Sequence, residues 1–291
     1  MPEEIKELLR EYQEGKITRR DFILKAVAIT GSLAAANSLL DSLLTPPLHA
    51  AQVDPNDPEL ASEMVQFPGR AGIVYGYLSR PKTSGRYPAI TIVHEWNGLN
   101  EHIRDVARRF AKEGYVALAP DYLSRHGGTP VANPTGAGLR NIDELAPPEV
   151  MAEDSDAGLS YLKRLPEVRG DRLGIVGYCW GGGGGFFIAT QVRGLKAVVI
   201  YYGISPRPLD LVKNIEAPVL AHYGGEDQRV NAGVAATEEA MKKYNKSYTY
   251  KIFPGGKHAF NNDDRPAVYH PEAAKEAWGR TLEFFKQHLK A

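Results

Sequence analysis

The sequence predicts an α/β fold in which helices cover both faces of a mostly parallel central sheet. From about residue 60 onwards, short runs rich in β-branched residues alternate with longer helix-like segments. Gly, Pro or charged residues bound the short runs, as is typical of buried strands. The strand candidates are AGIVYGYLSR, PAITIVH, GYVALAP, RLGIVGY, LKAVVIY, APVLAHY and SYTYKIF. The helix candidates are NEHIRDVARRFAKEG, PPEVMAEDSDAGLSYLKRL, the segment after Cys179, AGVAATEEAMKKY and HPEAAKEAWGRTLEFFKQHLK.

The composition suits one substantial core and argues against several functional classes. Of the 291 residues, 43% are hydrophobic and 24% are charged, which fits a single α/β domain. Lys plus Arg and Asp plus Glu both number 35, so the chain lacks the basic excess of nucleic-acid-binding proteins. Because the chain has one cysteine, it can form neither an internal disulfide nor a Cys-rich metal site. We expect no nucleic-acid partner, no metal ion and no cofactor.

Residues 1–50 differ in character from the remainder of the chain. The segment TRRDFILK at 18–25 resembles the twin-arginine export signature, and a weakly apolar Ala/Gly/Ser-rich run follows it. We expect residues 1–50 to be a signal for the twin-arginine export machinery, with cleavage after Ala50, and residues 51–291 to form the main domain in the periplasm or another extracytoplasmic space. The alternative is a helical N-terminal extension of a cytoplasmic protein.

The sequence GYCWG at 177–181 fits the pattern of a nucleophile elbow, G-x-nucleophile-x-G, between a predicted strand and a predicted helix. Such a turn holds its nucleophile in a strained backbone conformation, and bulk two residues away would collide with it. The helix that starts at Trp180 directs N–H groups and the positive end of its dipole at the sulfur. We therefore expect Cys179 to be a nucleophile with a lowered pKa, rather than a buried structural thiol. Close packing on the sheet would explain Gly182 to Gly185, which are poor helix formers.

A hydrolytic cysteine needs a base and a group that orients the base. Asp227 follows the strand candidate APVLAHY, and His258 follows SYTYKIF. Both therefore belong at the edge of the sheet where its parallel strands end, which is where open α/β sheets carry ligands. The chain order Cys179, Asp227, His258 is the order of α/β-hydrolases. Glu226 is a second candidate for the acid.

The stretch VHEWNGLN at 93–100 is the second informative region, because a turn follows the strand that ends at His94. We expect this turn to supply one N–H of an oxyanion hole, from Trp96, beside the N–H of Trp180. Glu95 is unexpected there, since a carboxylate should repel a developing oxyanion. The pair His94-Glu95 is not a zinc motif, because Gly98 occupies the position of the second histidine.

Several separated motifs, in this order, resemble the dienelactone hydrolase (carboxymethylenebutenolidase) family: VHEWNGLN, ALAPDYLSR, VGYCWGG, GGEDQRV and GGKHAFNNDDRPAVYHPEAAKEAWGRTLEFF. The resemblance runs from roughly Gly69 to the C-terminus. It implies an α/β-hydrolase fold with a single catalytic domain that opens enol-lactones without metal or cofactor.

By position, the resemblance implies that Cys179 is the nucleophile, His258 the base and Asp227 the acid that orients it. Glu95 matches the family glutamate that contacts the resting thiol and helps to deprotonate it. Arg125 and Arg265 fall near positions of arginines that bind the substrate carboxylate, and their alternative is a solvated surface charge. The implied function is hydrolysis of a small lactone or ester through an acyl-thioester. The alternatives are a broader carboxylesterase or thioesterase, and a binding protein without turnover.

Overall fold

The structure of the protein is a computed structural model, which describes residues 7, 8, 11, 16, 17, 19–30 and 51–290. The chain divides into two compact units, Met1–Ala50 and Ala51–Ala291. The first unit contains helix α1, Arg19–Thr30, which includes most of the twin-arginine-like segment. Thr18, the run 31–50 and the predicted cleavage site after Ala50 lie outside the described residues. None of the described helices is long and apolar enough to cross a membrane.

The second unit is built around an eight-stranded sheet with the strand order β1-β2-β4-β3-β5-β6-β7-β8. Pairing is antiparallel between β1 and β2 and between β2 and β4, and parallel throughout the rest. The strands are β1 Leu60–Gly69, β2 Gly72–Pro81, β3 Tyr87–Val93, β4 Val116–Pro120, β5 Val168–Tyr178, β6 Leu195–Tyr201, β7 Val219–Gly224 and β8 Tyr248–Phe253.

The α-helices of this unit lie on both faces of the sheet, which confirms the predicted α/β fold. They are α2 Glu101–Lys112, α3 Thr129–Ala132, α4 Ile142–Leu145, α5 Pro148–Arg164, α6 Trp180–Gln191, α7 Gln228–Asn231, α8 Val234–Lys243 and α9 Pro271–Phe285. A 3₁₀ turn, Ser124–His126, follows β4, and another lies at Leu209–Asn214. The predicted strands are present as β2 to β8, whereas β1 and the short helices α3, α4 and α7 were not predicted.

Two hydrophobic clusters pack on opposite faces of the sheet. One contains Phe67 of β1 and Phe186 of α6, and the other contains Phe110 of α2 and Phe285 of α9. All four phenylalanines are at most 1% exposed, and truncation of such a side chain to alanine costs about 3–5 kcal/mol. These clusters fix α6 on one face and α9 on the other, with the carboxyl ends of the parallel strands between the two layers.

Candidate active site

The chain reverses sharply between β5 and α6, and Cys179 occupies the corner. Its backbone has φ 57° and ψ −116°, a left-handed conformation that costs a non-glycine residue strain energy. A Cβ on Gly177 would lie 2.0 Å from the carbonyl oxygen of Gly181, and a Cβ on Gly181 would lie 2.3 Å from that of His94. Both glycines are therefore required by close backbone approach, as the motif predicts.

The glycines that follow are partly explained in the same way. A Cβ on Gly182 would lie 2.5 Å from the Tyr201 carbonyl oxygen, and one on Gly184 would lie 2.0 Å from the Met151 methyl group. At Gly185 the nearest heavy atom would be 3.5 Å away, an ordinary contact. Close approach of the backbone thus accounts for Gly182, a side chain at Gly184 would require only Met151 to move, and Gly185 has room for a side chain.

The three predicted members of the triad meet above the carboxyl ends of their strands. His258 Nε2 lies 3.0 Å from Cys179 Sγ, and His258 Nδ1 pairs with Asp227 Oδ2. Asp227 is also the N-cap of α7, where it accepts from the Val230 N–H at 3.3 Å. Burial alone would raise the pKa of Asp227, but the hydrogen bond with His258 holds this pKa below its usual range. The neighbouring Glu226, the other candidate for the acid, is exposed.

The expected lowering of the thiol pKa is wrong for this resting geometry. Burial, followed by the nearby Glu95 carboxylate, raises the pKa of Cys179 to about 12. The Trp180 N–H at the start of α6 donates to the sulfur and acts in the opposite direction, but it does not prevail. Cys179 is therefore a neutral thiol at neutral pH, because desolvation outweighs the helix terminus.

Glu95 is 1% exposed, and its carboxylate is held by residues that the sequence did not indicate. Asn262 Nδ2 donates to Oε2 at 2.6 Å, and the Tyr202 hydroxyl donates to Oε1 at 3.4 Å. Within residues 51–290, no hydrogen bond joins Glu95 to the Cys179 sulfur, which contacts His258 instead. Both hydrogen-bond partners of Glu95 are neutral groups, and at the thiol the effect of its negative charge exceeds the opposing effects of Arg265 and Arg229.

The buried ring of His94 orients the turn that carries the predicted oxyanion donor. Because its Nε2 accepts from the Tyr122 N–H at 3.2 Å, its Nδ1 carries the proton and donates to the Glu95 carbonyl oxygen at 2.7 Å. The C=O and N–H of a trans peptide point in opposite directions. This bond therefore turns the Trp96 N–H away from the ring, and the structure gives that N–H no acceptor within residues 51–290.

The two predicted clamp arginines lie in different surroundings. The Arg125 guanidinium lies 3.1 Å from carboxylate oxygens of both Glu153 and Asp154, at the edge of a cavity of about 260 Å³ between β2 and α5. Arg265 is exposed. Burial raises the pKa of Cys179, and the positive charge of Arg265 opposes this effect by favouring the thiolate. Arg229, which the sequence did not indicate, acts in the same direction. Of the two predicted arginines, Arg265 is the one whose charge acts on Cys179, whereas Arg125 pairs with Glu153 and Asp154.

A buried network of charged residues includes the two residues that follow Asn262 in the chain. His102, Asp263 and Asp264 have ligand atoms within 4.8 Å of one another, a spacing that could hold a metal ion. Asp263 Oδ2, however, accepts from Arg109 and from Gln52, both at 2.6 Å. Arg109 thus already supplies the positive charge that this carboxylate needs, and the cluster is better described as an ion-pair network that supports the loop after His258.

Comparison with known proteins places this geometry in a family. The dienelactone hydrolase family model matches residues 74–289. A relative from Escherichia coli K12, named "Putative carboxymethylenebutenolidase", is 34% identical over 255 residues, which are 83% of this chain and 93% of that protein. One from Bradyrhizobium, named "Probable 2-oxo-3-(5-oxofuran-2-ylidene)propanoate lactonase", is 34% identical over 224 residues, covering 73% of this chain and 89% of that protein.

Solved structures agree with the sequence comparisons. The crystal structure of a "Putative Dienelactone Hydrolase" from Klebsiella pneumoniae superposes with a TM-score of 0.72 at 32% identity, over 78% of this chain and 99% of that one. A dienelactone hydrolase from Anabaena variabilis shares the fold at 20% identity, with a TM-score of 0.63 over 79% of this chain and 99% of that one. The α/β-hydrolase fold is thereby confirmed. The chain belongs to the dienelactone hydrolase family.

Proposed function

We propose that this hydrolase opens a small lactone or ester through the nucleophile Cys179, the base His258 and the orienting acid Asp227. The observation that carries the proposal is the pair of contacts made by one imidazole, with Nε2 at 3.0 Å from the sulfur and Nδ1 on a buried carboxylate. That arrangement can remove the proton of a thiol while keeping the ring in one orientation.

In the acylation step, His258 Nε2 accepts the thiol proton as the Cys179 sulfur bonds to the carbonyl carbon. The carbonyl oxygen becomes an oxyanion, which the N–H groups of Trp96 and Trp180 stabilise. The intermediate collapses by breaking the bond to the ring or ester oxygen, and the proton returns from His258 to that leaving oxygen. The product of this step is an acyl-thioester on Cys179.

In the deacylation step, His258 takes a proton from a water molecule, and the resulting hydroxide attacks the thioester carbonyl. The carbon–sulfur bond then breaks, and the proton returns to sulfur. The Glu95 carboxylate opposes formation of the thiolate in the resting site. In this proposal, its charge keeps the thiol protonated until a bound substrate changes the local field, which limits unproductive chemistry at the sulfur.

The test is hydrolysis of dienelactone and of p-nitrophenyl acetate by the wild type and by active-site variants. Cys179→Ala and His258→Ala should each lose at least about a thousandfold in kcat/KM. Asp227→Asn should lose more than its matched control, Glu226→Gln, which changes an exposed carboxylate. Full activity in Cys179→Ala would overturn the nucleophile assignment. Mass spectrometry during slow turnover should find the acyl group on Cys179 and nowhere else.

A broader carboxylesterase or thioesterase is the second candidate, and one observation favours it. Arg125 is occupied by Glu153 and Asp154, so it offers less attraction to a substrate carboxylate than a free arginine would. An enzyme of this kind should hydrolyse neutral p-nitrophenyl esters at least as well as dienelactone. A clear preference for dienelactone that Arg265→Ala abolishes would exclude it.

We also propose export by the twin-arginine route, supported by the segment at residues 18–25. Cell fractionation and N-terminal sequencing test this idea. A mature protein in the periplasm that begins near residue 51 is the expected result, and full-length protein in the cytoplasm would contradict it.

A further inference from the structure

Residues 133–143, here called the strap, contact both tryptophans whose N–H groups are proposed to stabilise the oxyanion. The Leu139 N–H donates to the Trp96 carbonyl oxygen at 3.1 Å. The indole Nε1–H of Trp180 donates to Asp143 Oδ1 at 2.7 Å. One short surface segment thus bonds to two turns that come from different strands, β3 and β5.

The strap also packs directly on the turn that carries Trp96. A Cβ on Gly138 would lie 2.2 Å from Cε2 of the Trp96 indole, so the strap backbone packs closely against that ring. Asn97 Nδ2 donates to the Gly136 carbonyl oxygen at 2.8 Å, and Asn133 Nδ2 donates to the Asn97 carbonyl oxygen at 2.9 Å. These bonds tie Asn97 to the strap, and the Leu139 N–H holds the peptide that follows Trp96. His94 holds the peptide that precedes Trp96.

Trp180 is held from two sides. Its ring stacks on His94 with centroids 5.4 Å apart and an interplanar angle of 22°, and its far edge is bonded to Asp143. Its backbone N–H points at the Cys179 sulfur. Because Trp180 is the first residue of α6, restraining its side chain also restrains the direction of that N–H.

We propose that the strap is a positioning element of the oxyanion hole and that Asp143 is the positioning residue through which it acts on Trp180. This inference rests on the proposed function, since it requires the Trp96 and Trp180 amides to bind the oxyanion. An oxyanion exists in the transition state and not in the bound ester, so misplacing its donors lowers kcat and leaves KM nearly unchanged.

The first test compares Asp143→Ala with a matched control on the same helix, Glu144→Ala. Both residues are exposed acids in α4, and the hydrogen bond to an indole belongs to Asp143. With p-nitrophenyl acetate, Asp143→Ala should lower kcat about threefold to tenfold, the range of one lost hydrogen bond, with KM within about twofold of wild type. Glu144→Ala should match the wild type. Asp143→Asn keeps an acceptor oxygen and should recover most of the lost kcat.

The second test asks whether Asp143 acts through Trp180. Trp180→Phe keeps an aromatic ring but removes the indole N–H, so adding Asp143→Ala to it should change kcat no further. Equal kcat in wild type and Asp143→Ala would overturn the inference, as would additive losses in the double variant or an equal loss in Glu144→Ala. If Cys179→Ala were fully active, the proposed function would fail first and the strap inference with it.

Discussion

The resting thiol of Cys179 should be nearly unreactive towards alkylation at neutral pH, and removing the charge of Glu95 should make it more reactive. Burial and the Glu95 carboxylate favour the neutral thiol, and the thiolate is the form that alkylates. Glu95→Gln keeps the shape of the side chain and one acceptor oxygen, which can still accept from Asn262, while removing the charge. The amide NH2 of the glutamine can donate to the Tyr202 hydroxyl oxygen in place of accepting from it. The pKa of Cys179 should therefore fall in this variant.

The size of the effect follows from the position of the pKa. With the pKa of Cys179 at about 12, against about 8.5 for a free cysteine, the thiolate fraction at pH 7.5 should be lower by about a thousandfold or more. The alkylation rate should rise tenfold with each pH unit through pH 10. Limited access of the reagent would lower the rate at every pH but would not change this slope, so the two effects are separable.

The assay is iodoacetamide labelling followed by mass spectrometry between pH 6 and pH 10, and the single cysteine makes the modified site unambiguous. Glu95→Gln should label faster than wild type at every pH in this range, and Glu226→Gln should not. A wild-type rate that levels off below pH 8 would refute the reasoning, because it would mean that the thiolate is already formed beside an imidazolium. Slower labelling of Glu95→Gln would refute the role given to its charge.

Three further predictions concern packing, substrate charge and acid stability. Gly181→Ala should yield no folded, active enzyme, because the new Cβ would lie 2.3 Å from a backbone oxygen. Gly185→Ala leaves 3.5 Å to the nearest heavy atom and should raise the free energy of unfolding by about 0.5–1 kcal/mol in urea titrations. Arg265→Ala should raise KM for an anionic ester more than for a neutral one. Arg125→Ala breaks two ion pairs, so it should lower Tm while leaving the ratio of the two KM values unchanged. Burial alone would raise the pKa of Asp263, but the adjacent His102 ring and the Arg109 guanidinium hold this pKa below its usual range. Asp263→Asn should therefore reduce the free energy of unfolding at pH 7 by about 1–3 kcal/mol, and the difference from wild type should shrink as the pH falls below about 4.

The sequence was most informative where structure depends on local pattern. Parallel strands such as β3 and β5 are buried on both faces, so they appear as continuous apolar runs between turn residues. Strand β1 lies at the edge of the sheet, and exposed polar residues such as Glu63 and Gln66 break its apolar run, so the sequence pattern does not predict it. The order of Cys179, Asp227 and His258 indicated that they could meet, since each follows a strand of one parallel sheet.

Contacts between distant segments, and the depth of burial, could not be read from local sequence. Asn262 reaches Glu95 from 167 positions away, and nothing near either residue signals this bond. For the same reason, the sequence predicts the wrong direction for the shift of the Cys179 pKa. The helix start at Trp180 is visible in the sequence, whereas the desolvation of Cys179 arises from segments that fold over it.

The neutral ring of His94 sets an acid limit on catalysis that acts through the turn after β3 and not through the triad. Burial lowers the pKa of His94, so its Nε2 remains an acceptor for the Tyr122 N–H throughout the neutral range. Protonation at low pH would place two donors against each other inside the protein, and the Glu95–Trp96 peptide would lose its support. Acid inactivation should thus begin with a rearranged turn while the sheet is still intact, so enzymatic activity would disappear before the circular dichroism signal does.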